Sequence, residues 1–200
     1  MMLLFFSLKI FFVMIIKKAK LIKNGCLEVA YTDGEGNEVV LKGANPAHSD
    51  FRAAMKRLVP FLCDLTEQKE ADKYDWEHPE SEENADLVRR MDVVGVTISG
   101  ADSFVSCVLS GRRTLVVTNK VLSLNTPPVT LDEEAENYER LADLNEAVDA
   151  VIEEAKLYVT EHKYSAVQTT LDFEGTEDPF GGDGEAGESE SLEQQLEKAS

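Results

Sequence analysis

Hydrophobic and polar positions alternate with a period of two in two stretches of this chain, and with a helical period in two others. The clearer strand region spans 92–131. Val94, Val96 and Ile98 alternate there with Thr97 and Ser99, and a Gly100-Ala101-Asp102 turn follows. A strand over Phe104–Leu109, a turn at Gly111-Arg112-Arg113 and a strand over Thr114–Leu124 come next. Alternation bounded by turn residues predicts an antiparallel meander with one buried face, because successive side chains of a strand point to opposite sides. The earlier region predicts a strand from Ile15, a turn at Asn24-Gly25, a strand over Cys26–Thr32, a loop at 33–37 and a strand over Glu38–Lys42. Asn-Gly between apolar alternations is a strong hairpin signal, since both residues accept positive φ. The loop Asp33-Gly34-Glu35-Gly36-Asn37 is acidic, joins two strands and opens no helix, so it does not suit phosphate.

The first helical stretch carries Phe51, Met55, Leu58, Val59, Leu62 and Leu65 as one apolar stripe, with Ser49 or Asp50 as the expected N-cap after a break at 43–50. Pro60 falls inside the stripe and is expected to kink or split the helix. His48 beside it suits a cap or a surface position better than a ligand site. Glu67 to Arg90 is charged, contains Pro79 and reads as a partly helical connecting segment, with Trp76 expected to pack onto the domain. Asn125-Thr126-Pro127-Pro128 predicts an extended linker. Thr130 with Glu133 then forms a capping box for a long helix. Leu141, Leu144, Val148, Val151, Ile152, Ala155, Tyr158 and Val159 line one face of that helix. Tyr138 and Tyr158 are expected in the core or at its rim. The sum is an α+β domain over 14–164, an antiparallel sheet of about six strands in two meanders, each followed by a helix, with the helices on one face.

Charge changes the picture at the C-terminal end. The net charge is −18, and from Gln168 onward ten carboxylates stand against Lys198 alone, a net −9. Residues 165–200 are rich in Gly, Glu, Ser, Asp and Thr and are expected to form a mostly disordered acidic tail, too polar to build a core. The acidity of the remaining body disfavours broad polyanion binding. Lys17, Lys18, Lys20 and Lys23, or Arg112, Arg113 and Lys120, offer a local basic patch, although a solvated strand face is the more ordinary reading.

Cys26, Cys63 and Cys107 are widely spaced among apolar neighbours and predict reduced core residues of a cytoplasmic protein. His48, His78 and His162 share no ligand-like spacing, so no metal or cofactor is expected. Residues 1–16 are apolar except for Ser7 and Lys9, too short to span a bilayer comfortably and without a basic region before or a small-residue cleavage site after. A start at Met14 gives an ordinary first strand, so residues 1–13 are expected to lie outside the fold, and a membrane anchor is the weaker reading.

Two apolar islands interrupt the tail: Gln168-Thr169-Thr170-Leu171-Asp172-Phe173 and Asp178-Pro179-Phe180. The first resembles the bacterial sliding-clamp-binding motif, in which Gln, two variable residues, Leu, one variable residue and Phe or Leu follow one another. Gln168, Leu171 and Phe173 fill the defining positions, with Asp172 between the two anchors. The resemblance implies that the Gln168 amide bonds into a small polar pocket while Leu171 and Phe173 fill an adjoining cleft on the clamp. Two buried anchors, offset by the ordering of the tail, suit micromolar affinity, about −8 kcal/mol. The second island, with Pro179 and Phe180, resembles the acidic tails of single-stranded DNA-binding proteins, except that twenty residues follow Phe180 where those tails end. That reading needs a body that stacks bases on exposed aromatic rings. A third outcome has Phe173 fold back onto the domain, leaving a small structural protein.

The body, through Leu41-Lys42-Gly43-Ala44-Asn45-Pro46-Ala47-His48 and the stretch from Val93 to Pro127, resembles uncharacterised small proteins of bacteriophages and mobile elements, a resemblance that implies no activity. No set of nucleophile, base and metal ligands emerges from the chain. The expectation is therefore a non-catalytic phage or mobile-element accessory protein that recruits a DNA replication or repair partner, the sliding clamp, through its tail. The single-stranded DNA-binding protein is the alternative.

Overall fold

A computed structural model describes residues 14–100, 105–132, 134 and 138–165. Among them the chain order is β1 (Ile15–Leu21), β2 (Cys26–Thr32), β3 (Glu38–Pro46), α1 (Ser49–Arg57), α2 (Val59–Leu65), α3 (Glu82–Val88), β4 (Met91–Ser99), β5 (Ser106–Thr114), β6 (Val121–Asn125), β7 (Val129–Thr130) and α4 (Leu141–Thr160). The sheet is antiparallel throughout, in the order β3-β2-β1-β4-β5-β6, with β7 following β6 along the same edge of β5. The first strand of each group, β1 and β4, pair at the centre, Lys18 against Thr97 and Lys20 against Gly95. The leader (1–13), the tail beyond Ser165, Phe104 and Glu133 lie outside the described residues.

Among the described residues, one face of the sheet is covered and the other is open. Ile16, Ala19, Leu27, Val29, Val93, Val96, Cys107 and Leu109 are buried under α1, α2 and α4, which contribute Phe51, Met55, Leu58, Leu62, Leu144, Val148, Val151 and Ala155. Of the stripe expected on the long helix, Leu141, Leu144, Val148, Val151, Ala155 and Tyr158 are buried on α4, and Ile152 and Val159 are half-buried beside them. Tyr158 on it is fully enclosed and donates its hydroxyl to the Asn45 carbonyl at 2.9 Å. The Asn24-Gly25 turn forms as predicted, both residues at positive φ (61° and 71°), closed by Ile22 N–H donating to the Cys26 carbonyl at 2.8 Å. Leu58 separates α1 from α2, and Pro60 sits in the first turn of α2, where its missing N–H costs nothing.

Several expectations need correction, each for a tertiary reason. β3 does not end at Lys42 but runs to Pro46. Gly43 is a strand residue whose Cβ would overlap the Tyr158 hydroxyl, so it makes room for that ring. Gly111-Arg112-Arg113 is no turn: β5 passes straight through, because a side chain at 111 would collide with Leu62 and lie 2.7 Å from the Asp92 carbonyl. The reversal comes instead at 115–120, with Asn119 at φ 53° and its N–H donating to Leu115, so a single strand over Thr114–Leu124 does not form. In β4, a bulge between Val93 and Gly95 shifts the alternation, so Met91, Val93 and Val96 share the buried face. α1 is capped not by Ser49 or Asp50 but by His48, whose Nδ1 accepts from Asp50 N–H at 3.3 Å. The Thr130 capping box does not form: Thr130 pairs with Ser106 in β7, and α4 begins only at Leu141. Pro127-Pro128 interrupts what is in effect one edge strand, and buried Thr126 bridges the gap by accepting Leu109 N–H on its hydroxyl at 3.0 Å.

The connecting segment includes α3 and is held by its own hydrogen bonds. Buried Asn84 accepts from Asp75 N–H at 2.9 Å and donates to the carbonyls of Asp75 (2.7 Å) and His78 (3.0 Å), while Ser81 caps α3. Among the described residues no helix is long and apolar enough to cross a membrane.

Candidate functional site

The predicted partner-binding residues Gln168, Leu171, Asp172, Phe173, Pro179 and Phe180 lie outside the described residues, and what can be followed is how the body delivers the chain to them. After α4, His162 takes φ 55° and the chain reverses. Lys163 reaches Asp50 at the start of α1 and Glu154 on α4, both at 2.8 Å. The hydrogen bonds that Lys163 donates to these two carboxylates raise its pKa, and Lys163 lowers that of Asp50. Tyr164 meets the Tyr158 ring edge-on at 5.1 Å and bridges to Ala47. Ser165 N–H donates to the Pro46 carbonyl at 3.0 Å and its hydroxyl to the Ala47 carbonyl at 2.8 Å. The last residues of β3 thus hold the chain at Ser165, three positions before Gln168.

Trp76 packs, as expected. It lies against Phe61 (5.2 Å between ring centres) and Tyr74 (4.8 Å), with the Arg140 guanidinium 4.2 Å over its ring. Tyr138 beside it donates to Asp64 at 2.7 Å, and burial together with that carboxylate pushes its pKa far up. This cluster fastens the segment before α4 to α2 and needs no ligand to explain it.

A concavity of about 440 Å³ opens at the end of the sheet where β1 and β4 part. Their pairing stops at Lys20 and Gly95, beyond which Leu21-Ile22 and Val93-Val94 form its walls and Met55 and Val59 its floor. Lys23 from the hairpin turn, Arg52 and Lys56 from α1, and Arg112 from β5 surround it, with Asp92 the sole carboxylate among its lining residues. Asp92 accepts from Arg112 at 3.1 Å. Lys23, Arg52 and Lys56 have no acidic partner among the described residues. The tip of Arg52 comes up against the turn: a Cβ at Gly25 would sit 2.6 Å from its Nη2.

The two basic patches read along the sequence do not form as such. Lys18 is taken up by Glu28 at 2.8 Å, and Arg113 by Glu70 and Gln68. Lys23 and Arg112, one from each patch, converge instead on the cleft. Arg52 and Lys56 were not signalled, because on a helix they read only as the polar face opposite Phe51 and Met55. Their spacing of four, which puts both on one turn-facing side, was the available clue.

The open face of the sheet carries Ala30, Thr32, Thr97, Ser99, Ser106, Ser110 and Ser123 among charged Lys18, Lys20, Lys42 and Glu28, with Val40 and Val108. Among the described residues it presents no aromatic ring, so the stacking platform that the single-stranded DNA reading requires is not found there.

The three cysteines are buried and unpaired. Burial pushes the thiols of Cys63 and Cys107 up to about 11, away from reactive thiolate. His48 caps α1, and His78 bonds Asp75 at 2.9 Å. Among the described residues no three His, Cys, Asp or Glu side chains gather as a metal set would. No family model, curated protein or solved structure matches the chain.

Proposed function

We propose that this chain is a non-catalytic, cytoplasmic accessory protein of a phage or mobile element, whose acidic tail recruits a DNA replication or repair partner, the bacterial sliding clamp. The observation that carries the reading is the pattern Gln168-x-x-Leu171-x-Phe173, standing three residues beyond the point where Ser165 is held to β3. A short peptide close to an anchored chain end loses less conformational freedom on binding than one on a long tether. Leu171 and Phe173 are the apolar anchors, Gln168 the polar contact, and Asp172 the variable position of the motif between the two anchors.

The test is surface plasmon resonance of the full chain against immobilised clamps from several bacterial groups. The expected result is micromolar binding to at least one of them, weakened tenfold or more by the double variant Gln168→Ala/Phe173→Ala, a loss of about 1.4 kcal/mol or more. Pro179→Ala/Phe180→Ala is expected to leave it unchanged. Absence of binding to every clamp by the intact protein would reduce the hexapeptide to coincidence. Loss only with Pro179→Ala/Phe180→Ala would move recognition to the second island.

A further inference from the structure

We infer that the cleft between the Asn24-Gly25 turn, α1 and the start of β4 is a binding site for a small phosphate-bearing ligand. The inference does not depend on the tail or its partner. It rests on four cations against one carboxylate around a single concavity, in a chain whose net charge is −18. Elsewhere on the described body seven of the fourteen Lys and Arg side chains are paired with a carboxylate, among them Lys18 with Glu28, Arg57 with Glu146, Arg113 with Glu70, and Lys163 with Asp50 and Glu154. At the cleft only Arg112 is paired. Three like charges gathered without counter-charge repel one another, and a dianion seated among them relieves that repulsion.

The local structure keeps the cations in place. Positive φ at Asn24 and Gly25 turns the hairpin tightly, and the absent side chain at Gly25 leaves room for the tip of the Arg52 guanidinium. Arg52 and Lys56, four residues apart on α1, present side by side. A guanidinium is a fork suited to two phosphate oxygens, and the two ammonium groups supply further donors. Beneath the rim the walls and floor are apolar (Leu21, Ile22, Met55, Val59, Val93 and Val94), the composition of a pocket that takes an organic body as well as an anionic head. The volume, about 440 Å³, holds a mononucleotide or a sugar phosphate. The net negative charge of the chain opposes a long polyanion, which favours a small ligand over nucleic acid.

The test is a titration of the full chain, isotope-labelled, with pyrophosphate, a nucleoside triphosphate and a sugar phosphate, followed through backbone amide shifts at low salt. Saturable shifts centred on Asn24, Gly25 and Val94, weakened by added salt and at least tenfold by Arg52→Gln/Lys56→Gln, are the expected result. The tightest probe then tells a nucleotide from a plain phosphoester. Arg57→Gln, which faces Glu146 outside the cleft, should leave the titration unchanged. Lys23→Gln, on an exposed turn, should also weaken binding and repeats the test without touching a helix. Absence of shifts at these amides up to millimolar probe, or shifts that persist in the double variant, would overturn the inference.

Discussion

The two faces of this sheet are made from the same strands and obey different rules. On the covered face strand positions are fitted to the helices packed on them. Gly43 is bare so that Tyr158 can enter, Gly111 is bare so that Leu62 can, and Ala19 sits where β1 passes under the helices. On the open face the same strands carry threonine, serine and charged pairs that answer to water and to cross-strand neighbours. Stability therefore resides on one side, and substitution on the other is cheap. Neither face supplies an obvious site. The cleft arises where the regularity fails, at the end where β1 and β4 cease to pair and the charges of a turn, a helix and a strand meet.

The contrast can be broken most forcefully by removing a large covered side chain. Phe51→Ala should cost about 3–5 kcal/mol of unfolding free energy, read as a fall in the denaturant midpoint, because Phe51 is fully enclosed and the helices cannot collapse into its space. An equal response to Val40→Ala, on the open face, would abolish the distinction. Val40 is 62% exposed, and its loss should stay within about 0.5 kcal/mol. Gly111→Ala tests the fit from the opposite direction. One added methyl meets Leu62 and the Asp92 carbonyl, and overpacking of this kind costs about 1–3 kcal/mol. The double variant Gly111→Ala/Leu62→Ala should be less destabilised than the two single losses added together. Thr126→Val leaves Leu109 N–H without an acceptor beside the Pro127-Pro128 break and should cost roughly 1–2 kcal/mol, with faster amide exchange confined to β5 and β7.

The corrected elements show which forces are legible in one dimension. The Asn24-Gly25 turn, the stripe of α4 and the split at Pro60 are local: φ, periodicity and a missing N–H decide them, and all three formed. Gly111 reads as a turn residue because the reason for its bareness, Leu62, is far away in sequence. Thr130 and Glu133 have the spacing of a capping box, yet Thr130 is claimed by its pairing with Ser106, a contact that no local pattern announces. The bulge in β4 likewise serves the register with β5. Of the candidate sites, the tail hexapeptide is fully legible as a motif, since a linear peptide carries its chemistry in order. The cleft was only half legible, Lys23 and Arg112 appearing in two separate patches, because its four cations come from three elements joined only by the fold.

The smallest predicted effect concerns the open face and depends on pH. Glu28 there is held below the usual carboxylate value of 4.5, chiefly by the hydrogen bond from Lys18, partly opposed by its own desolvation and helped by Lys42 at 3.6 Å. A carboxylate whose pKa is lower in the folded than in the unfolded chain releases its proton more readily when folded. The resulting stability is present above pH 4.5 and is lost as the pH falls through the folded value. Lys18→Gln brings the folded value back toward the unfolded one. The variant should therefore be weaker than the parent near pH 7 by about 0.5 kcal/mol, the scale of a partly exposed pair, and the two should converge in acid. Asp33, Asp50 and Asp75 are also held low, by partners that Lys18→Gln leaves intact, so they contribute equally to both proteins and drop out of the difference. Denaturant midpoints measured against pH for the pair isolate Glu28. A gap that stays constant into acid would place the role of Lys18 in the packing of its methylene stem over the sheet rather than in its charge.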